Sequence, residues 1–314
     1  MVIYEYPLRA GKIAHGSGCV LAIGFFDGVH IAHRDLLRHA KDLAEERNLP
    51  FGVFTFRTDG RIKAGAPRIY TDEQKAGIFA GLGVDFTIFA DFDAISGASP
   101  EEFVKEILVS DLNCRACVAG FNFRFGKNAG GSADDLIRLM QESHGEAFIK
   151  KEIIYEDRTV SASRIRELLA DGKIKDANIL LGAPYSIRGV VSHGESLGRR
   201  LGYPTVNLDI HDGFSTPKSG VYRCAAVIGE SIYPALTNVG ICPTFGGRKL
   251  HSETHILNFS GDLYGETIDV FFLDFMREEK AFSTQEQLIM QINVDKNKAI
   301  SENGDITWQE LGLR

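Results

Sequence analysis

Thr205 and Asn207 lie two residues apart in the run Tyr203-Pro204-Thr205-Val206-Asn207. On an extended segment that spacing turns both side chains to one side, where a hydroxyl and an amide oxygen suit a hard cation such as magnesium. The loop ahead of them carries Gly194, Gly198, Arg199, Arg200 and Gly202, and so offers backbone amides and guanidiniums to phosphate groups. Glu253, in the strand-like run Glu253-Thr254-His255-Ile256, is a carboxylate that can act as a general base if folding brings it to that cation. An asparagine-capped barrel corner accounts for Thr205 and Asn207 equally well without any chemistry.

A second group lies near the amino end. The segment Gly24-Phe25-Phe26-Asp27-Gly28-Val29-His30 follows an apolar run and leads into a helix-like stretch. That is where a parallel α/β sheet binds ligands and where a helix N-terminus favours anions. His30 and His33 are three apart, so one helical turn can aim both imidazoles in one direction, with N–H groups available to phosphate oxygens. Two ordinary surface histidines fit the same spacing; a metal pair fits it less well, because no Glu follows the first His in the zincin pattern and no third ligand is evident. Further on, Gly120-Phe121-Asn122-Phe123-Arg124-Phe125-Gly126-Lys127 interleaves Asn122 and two cations with phenylalanines. This composition suits a flat aromatic ligand bearing phosphate, or else a strand end and a hydrophobic hairpin. Ser161-Ala162-Ser163-Arg164-Ile165-Arg166 opens a helix with hydroxyls at its cap and guanidiniums behind them, fitting either an anion site or a capped, solvated helix.

Other chemistries are excluded by position. Gly16 and Gly18 precede the first strand, so they cannot wrap a dinucleotide pyrophosphate. The Gly120 to Lys127 loop has five residues between its glycines and Asn128 where a P-loop needs Ser or Thr. Cys114 and Cys117 form a lone C-x-x-C, which points to structural thiols.

The elements that must position these residues follow from periodicity. Cys19 to Phe25, Phe51 to Phe56, Asp85 to Ala90 and Ala116 to Ala119 are strand-like, and helical stretches run from His33 to about Glu46, Thr71 to Leu82 and Ser132 to Glu142. Ser99-Pro100-Glu101-Glu102 supplies an N-cap, a first-position proline and acidic first-turn residues for another helix. Alternation of this kind predicts a parallel sheet covered by helices. The pattern changes near Gly182-Ala183-Pro184. From there Tyr185 to Ser192, Gly220 to Ile228, Ser231 to Asn238, Glu253 to Asn258 and Glu266 to Phe275 predict an antiparallel sheet or barrel, closed by a helix from about Thr284 to Ile300. The expected division is therefore residues 1–182 and 183–314.

The 314 residues, 44% hydrophobic and 25% charged, are those of ordinary globular domains, and the length suits two of them. A net charge of −7 supplies no global field for a duplex backbone, so no nucleic-acid partner is expected. Five scattered cysteines, an opening without a basic-then-apolar signal and no apolar run near ~18 residues lead to the expectation of a cytoplasmic protein without a membrane partner. A monomer or weak homo-oligomer is expected.

Taken in order, these motifs resemble the bacterial bifunctional riboflavin kinase and FAD synthetase family. The likeness runs from about Leu21 to Ala299 and is most specific in Gly198 to Asn207, Gly220-Val221-Tyr222, Asn238 to Phe245, Glu253-Thr254-His255, Asp262-Leu263-Tyr264-Gly265 and Arg277 to Phe282. The resemblance implies an amino-terminal nucleotidyltransferase domain of Rossmann-like α/β fold and a carboxyl-terminal riboflavin kinase barrel. It implies ATP as co-substrate, magnesium, and riboflavin, FMN and FAD as substrates and products. In the kinase half it implies Thr205 and Asn207 on Mg-ATP, Glu253 as base, and Gly194, Gly198, Arg199, Gly202, Pro204 and Arg277 around the substrates. In the adenylyltransferase half it implies His30 and His33 on ATP phosphates, Gly24, Phe26, Asp27, Gly28 and Asn122 at the nucleotide or flavin, and Ser161, Ser163 and Arg164 toward pyrophosphate. The sequence departs from the family pattern in three places. Ala32 stands for the glycine of H-x-G-H, Arg57-Thr58-Asp59 replaces Pro-His-Pro, and Ala162-Ser163 replaces Ser-Thr. A kinase whose first domain is silent, and a non-catalytic flavin or nucleotide sensor, remain open alternatives.

Overall fold

The computed structural model describes residues 1–8, 16–57, 66–192, 203–209, 213–244, 247–302 and 306–313. The chain forms two compact units, one of residues 1–66 and 71–161, the other of residues 67–70 and 162–314.

The first unit is a parallel sheet of six strands: β1 (Val2–Tyr6), β2 (Cys19–Ile23), β3 (Phe51–Phe56), β4 (Phe86–Ala90), β5 (Cys114–Gly120) and β6 (Glu146–Lys150), in the order β1-β4-β3-β2-β5-β6. Central β2 reads Cys-Val-Leu-Ala-Ile without a polar residue because both of its faces are covered. Leu21 and Ile23 face one apolar layer with Phe54, Phe103 and Leu139; Val20 and Ala22 face the other with Leu37, Ala40 and Phe79. The helices α1 (Ile31–Arg47), α2 (Asp72–Gly81), α3 (Phe92–Ile95), α4 (Pro100–Glu102) and α5 (Ala133–Glu142) follow their strands. Ser99 and Ser132 form the capping boxes of α4 and α5, and Thr71 with Gln74 forms that of α2.

Strands β3 and β4 lie to one side of β2, and β5 and β6 to the other. The order reverses between β2 and β5, so the loops leaving their carboxyl ends open into the crevice where such sheets take ligands. Two strands fall outside the periodicity reading. β1 pairs in parallel with β4 at the sheet edge, and β6 pairs with β5. Both carry mixed polar and apolar residues, because an edge strand is only partly covered.

The second unit holds α6 (Ala162–Ala170), α7 (Ile174–Leu181) and a closed antiparallel barrel. Its strands are β9 (Tyr185–Ser192), β10 (Val206–Asp209), β11 (Gly220–Ile228), β12 (Ser231–Thr244), β13 (Gly247–Ile256) and β14 (Thr267–Arg277), after the small hairpin β7 (Ile154–Tyr155) and β8 (Arg158–Thr159) of the first unit. Alternate residues Tyr222, Cys224, Thr237, Thr254 and Phe272 are fully buried, and the hydroxyls of Thr237 and Thr254 meet at 2.9 Å. The intervening residues face outward by strand alternation. The closing helix, Gln285–Glu302, packs there: Ala299 joins Val221, Leu236 and Leu257 in one apolar cluster.

Residues 67–70 belong to this unit although they precede α2 in sequence. Arg68 pairs with Phe214 and exchanges backbone hydrogen bonds with Gly213 and Ser215, and Tyr70 stacks on Tyr185 at 6.2 Å.

Candidate functional site

The first constellation is built on the β2–α1 loop. Gly24 continues the sheet ladder by donating to the Phe54 carbonyl, and a Cβ there would stand 3.2 Å from the Phe26 ring. Phe26 turns the chain back with φ 51°, Gly28 has φ 78° and Val29 has φ 39°. A left-handed β-branched valine costs of order 1–3 kcal/mol and persists only where the surroundings hold it; here Phe26 and Val29 are both fully buried. Thr55 adds a clamp, its hydroxyl donating to the Phe25 carbonyl at 3.0 Å. Asp27 is buried in the same turn.

His30 is the N-cap of α1, in extended conformation, and His33 lies in the first turn. Their rings stack at 3.6 Å with 14° between planes, and Phe26 meets His33 edge-on at 5.2 Å. Both Nδ1 atoms are buried without a hydrogen-bond partner among the described residues. Burial lowers the His30 pKa to about 4, and burial, His30 and the Lys75 charge together hold His33 well below the usual histidine range. The pair is therefore neutral at physiological pH, and its N–H groups act as uncharged donors at a helix N-terminus.

The sign of the resulting pH dependence is fixed. Between the ordinary histidine pKa of 6.5 and about 4 the unfolded chain binds a proton at His30 that the folded chain does not. Stability is then fully present above 6.5 and falls as pH drops through that window, by about 1.4 kcal/mol per pH unit for this group. Melting temperatures between pH 7 and pH 5 are expected to decline, and His30→Gln is expected to flatten the slope. An unchanged slope in that variant would place the acid sensitivity elsewhere.

Asn122 stands exposed after β5, where its Oδ1 lies 3.5 Å from the Cβ position of Gly120. The loop is tied back by Phe125 and Gly131, which pair through backbone hydrogen bonds, and by Gly126, whose φ of 70° and close approach to Pro100 leave no room for a side chain. Ser161 ends the first unit, while Ser163 and buried Arg164 sit on α6 in the second. The Ser163 hydroxyl accepts from the Arg166 guanidinium at 3.1 Å.

The second constellation lies on the outer face of the barrel. Strand register places Asn207 of β10 directly opposite Glu253 of β13, and Glu253 opposite Asn238 of β12. Thr205 lies two residues before Asn207, immediately ahead of β10. Asn207 is 5% exposed, and its Oδ1 has no hydrogen-bond partner among the described residues. A buried amide oxygen without a partner among the described residues, directly across from a carboxylate, fits a hard cation, and oxygen donors suit magnesium. Glu253 is half-buried. The loop residues Gly194, Gly198, Arg199 and Gly202 lie outside the described residues.

Residues 181–302 match the riboflavin kinase family, and residues 12–164 match the FAD synthetase family. Across most of the chain, the bifunctional riboflavin kinase/FMN adenylyltransferase of Bacillus subtilis is 32% identical over 290 residues, covering 90% of this chain and 91% of its own. The Escherichia coli K12 protein of the same description is 34% identical, covering 89% and 91%. This chain belongs to the bifunctional riboflavin kinase/FMN adenylyltransferase family. A crystal structure described as a macrolide-efflux protein from Streptococcus pneumoniae has the same fold, with a TM-score of 0.86 at 31% identity over 96% of this chain and 100% of that one. Among the described residues no helix is long and apolar enough to cross a membrane.

Within this bifunctional family framework the departures in sequence acquire locations. Ala32 occupies the first turn of regular helix α1, where an L-residue incurs no backbone strain, so the missing glycine is not needed for conformation. Arg57, at the Pro-His-Pro position, pairs with Glu5 and lies 3.9 Å from Asp72.

Arg277 is fastened in the structure. Its Nε and Nη2 donate to buried Asp295 of the closing helix at 2.9 and 2.7 Å, and Gln291 donates to the same carboxylate. Three side chains that spacing did not single out frame this outer face of the barrel. His255 Nδ1 is 2.8 Å from the Pro204 carbonyl and steadies the segment carrying Thr205. Asn238 donates to Glu279 at 3.2 Å beside Glu253. The signal for Asn238 and Glu279 is their place within the family-like runs; their partnership is a tertiary contact between β12 and the segment that follows β14.

Proposed function

We propose that the outer face of the barrel phosphorylates riboflavin to FMN, and that the loops at the carboxyl ends of β2 and β5 adenylylate FMN to FAD. In this reading residues 183–314 serve the first reaction and residues 1–182 the second. The observation that carries it is the row Asn207–Glu253, which sets a buried amide oxygen, lacking a hydrogen-bond partner among the described residues, across from a carboxylate.

In the kinase reaction Glu253 takes the proton of the ribityl 5′-hydroxyl. The oxygen then bonds to the γ-phosphorus of ATP as the bond to the bridging oxygen breaks and ADP departs. An alcohol of high pKa needs such a base close by. Thr205 and Asn207 would hold magnesium, and Pro204, fixed by His255, sets where they stand. Bound there, the ion neutralises triphosphate charge. Gly194, Gly198, Arg199 and Gly202 supply donors to the phosphates, and Arg277 holds the wall of the site through Asp295.

In the adenylyltransferase reaction an FMN phosphate oxygen bonds to the α-phosphorus of ATP and pyrophosphate departs. This nucleophile is already anionic, so positioning and charge stabilisation suffice. His30 and His33 donate to the ATP phosphates across the strained turn of Gly24, Phe26, Asp27 and Gly28. Asn122 contacts the substrates; Ser161, Ser163 and Arg164 face pyrophosphate. The enzyme then works on small molecules in the cytoplasm as a monomer or weak homo-oligomer, with neither nucleic acid nor membrane as partner.

Riboflavin and FMN, each supplied separately with ATP and magnesium, are the test, with flavins resolved by chromatography. Riboflavin is expected to yield FMN and then FAD, and FMN to yield FAD with pyrophosphate. FMN formed from riboflavin with no FAD from either would leave a kinase alone; flavin binding without ATP consumption would leave a sensor.

A further inference from the structure

Lys75, on α2, is 1% exposed. Its ammonium donates to the Phe56 carbonyl at 3.0 Å and pairs with Asp72 at 3.2 Å, and it lies 5.4 Å from the Phe25 ring centre and 5.3 Å from that of Phe89. Phe25 belongs to the histidine loop, held by Thr55. No part of the proposed reactions uses this lysine. Burying an ammonium costs several kcal/mol, and replacing a buried ion pair by apolar groups of similar volume is often neutral or stabilising. The fold alone thus gives little reason for a charge at this point.

We propose that Lys75 is a positioning residue of the adenylyltransferase site, holding the histidine loop from beneath and placing a fixed positive charge behind the two imidazoles. The inference rests on the assignment of that loop to adenylyl transfer. Among the described residues the charged groups paired around the lysine are Asp72 on its own helix, Arg57 after β3 on the other side of Asp72, and Glu5 of β1 paired with Arg57; the imidazole that its charge acts on is His33, which stacks on His30. Asp72 shares its carboxylate between two cations, so it only partly offsets the lysine charge. The Lys75 field disfavours the protonated form of His33, in the same sense as burial does. Protonation would drive the two stacked rings apart, 3.6 Å being too close for two cations, and would disorder the donors aimed at the triphosphate. The lysine thus keeps the pair neutral and in register while drawing the anionic nucleotide toward it.

The test uses the full-length chain with FMN supplied, following FAD formation from pH 3 to 8, a range that spans the lowered histidine pKa, and kinase turnover in the same preparations. Lys75→Met is expected to lower kcat/KM for ATP in FAD formation at least ~10-fold and to move the acid limb of that profile upward by half a pH unit or more, leaving kinase turnover unchanged. Lys75→Arg, which keeps the charge, is expected to recover most of the rate and the position of the limb. Asp72→Asn removes the partial neutralisation and is expected to move the limb the opposite way, which keeps the inference testable if the methionine variant does not fold. An unmoved limb in either Lys75→Met or Asp72→Asn, or Lys75→Arg behaving like Lys75→Met, would overturn the positioning role. Absence of FAD formation in the unsubstituted enzyme would instead overturn the assignment of the site.

Discussion

Replacing Glu253 with glutamine is expected to lower riboflavin phosphorylation at least ~100-fold in kcat, the low end for loss of a general base, while FAD formation from supplied FMN stays within about twofold of the unsubstituted enzyme. The substitution conserves volume and one carbonyl oxygen, so the row Asn207–Glu253–Asn238 keeps its packing and only proton acceptance is lost. The site lies on a strand whose inward neighbours Ser252 and Thr254 are fully buried, so the barrel itself is not perturbed by a change on the outer face. Flavin chromatography with riboflavin or FMN as the starting compound reads both activities from one preparation. An equal fall in both would mean that a single site serves the two reactions, or that Glu253 has a folding role.

His30→Ala is expected to give the converse, a loss of ~100-fold or more in FAD formation with kinase turnover preserved. Removing one preorganised donor from a water-poor anion site has effects of this order. The imidazole is only 5% exposed and stacks on His33, so alanine also frees the second ring from its fixed orientation. Pyrophosphate release with FMN as substrate measures the outcome, retained kinase activity shows that the barrel has folded, and an unchanged circular dichroism spectrum shows that the first unit has folded. FAD formation within tenfold of the unsubstituted rate would remove His30 from the site.

Much of this arrangement is legible in the amino-acid sequence. β2, β3, β4 and β5 announced themselves as short apolar runs because both faces of an interior parallel strand are covered. The capping boxes at Ser99 and Thr71 marked helix starts through local hydrogen bonds alone. Edge strands β1 and β6 did not announce themselves, since partial exposure mixes their composition. Residues 67–70 gave no signal that they pack with the barrel, because a two-residue bridge to Phe214 has no periodicity. α6 and α7 likewise pack within the second unit, while the sequence placed its division after them.

The amino-acid order by itself determined the two fold classes, the two-residue spacing of Thr205 and Asn207, and the one-turn spacing of His30 and His33, which rest on repeats of two or about four residues. Only the tertiary structure decided that Asn207 meets Glu253, that the imidazoles stack in a buried, neutral state, and that Lys75 lies beneath their loop. Cross-strand register is fixed by closure of the whole barrel, and the protonation of a histidine by how much water the surrounding elements exclude. Both are properties of residues far apart in the chain, which no local pattern encodes.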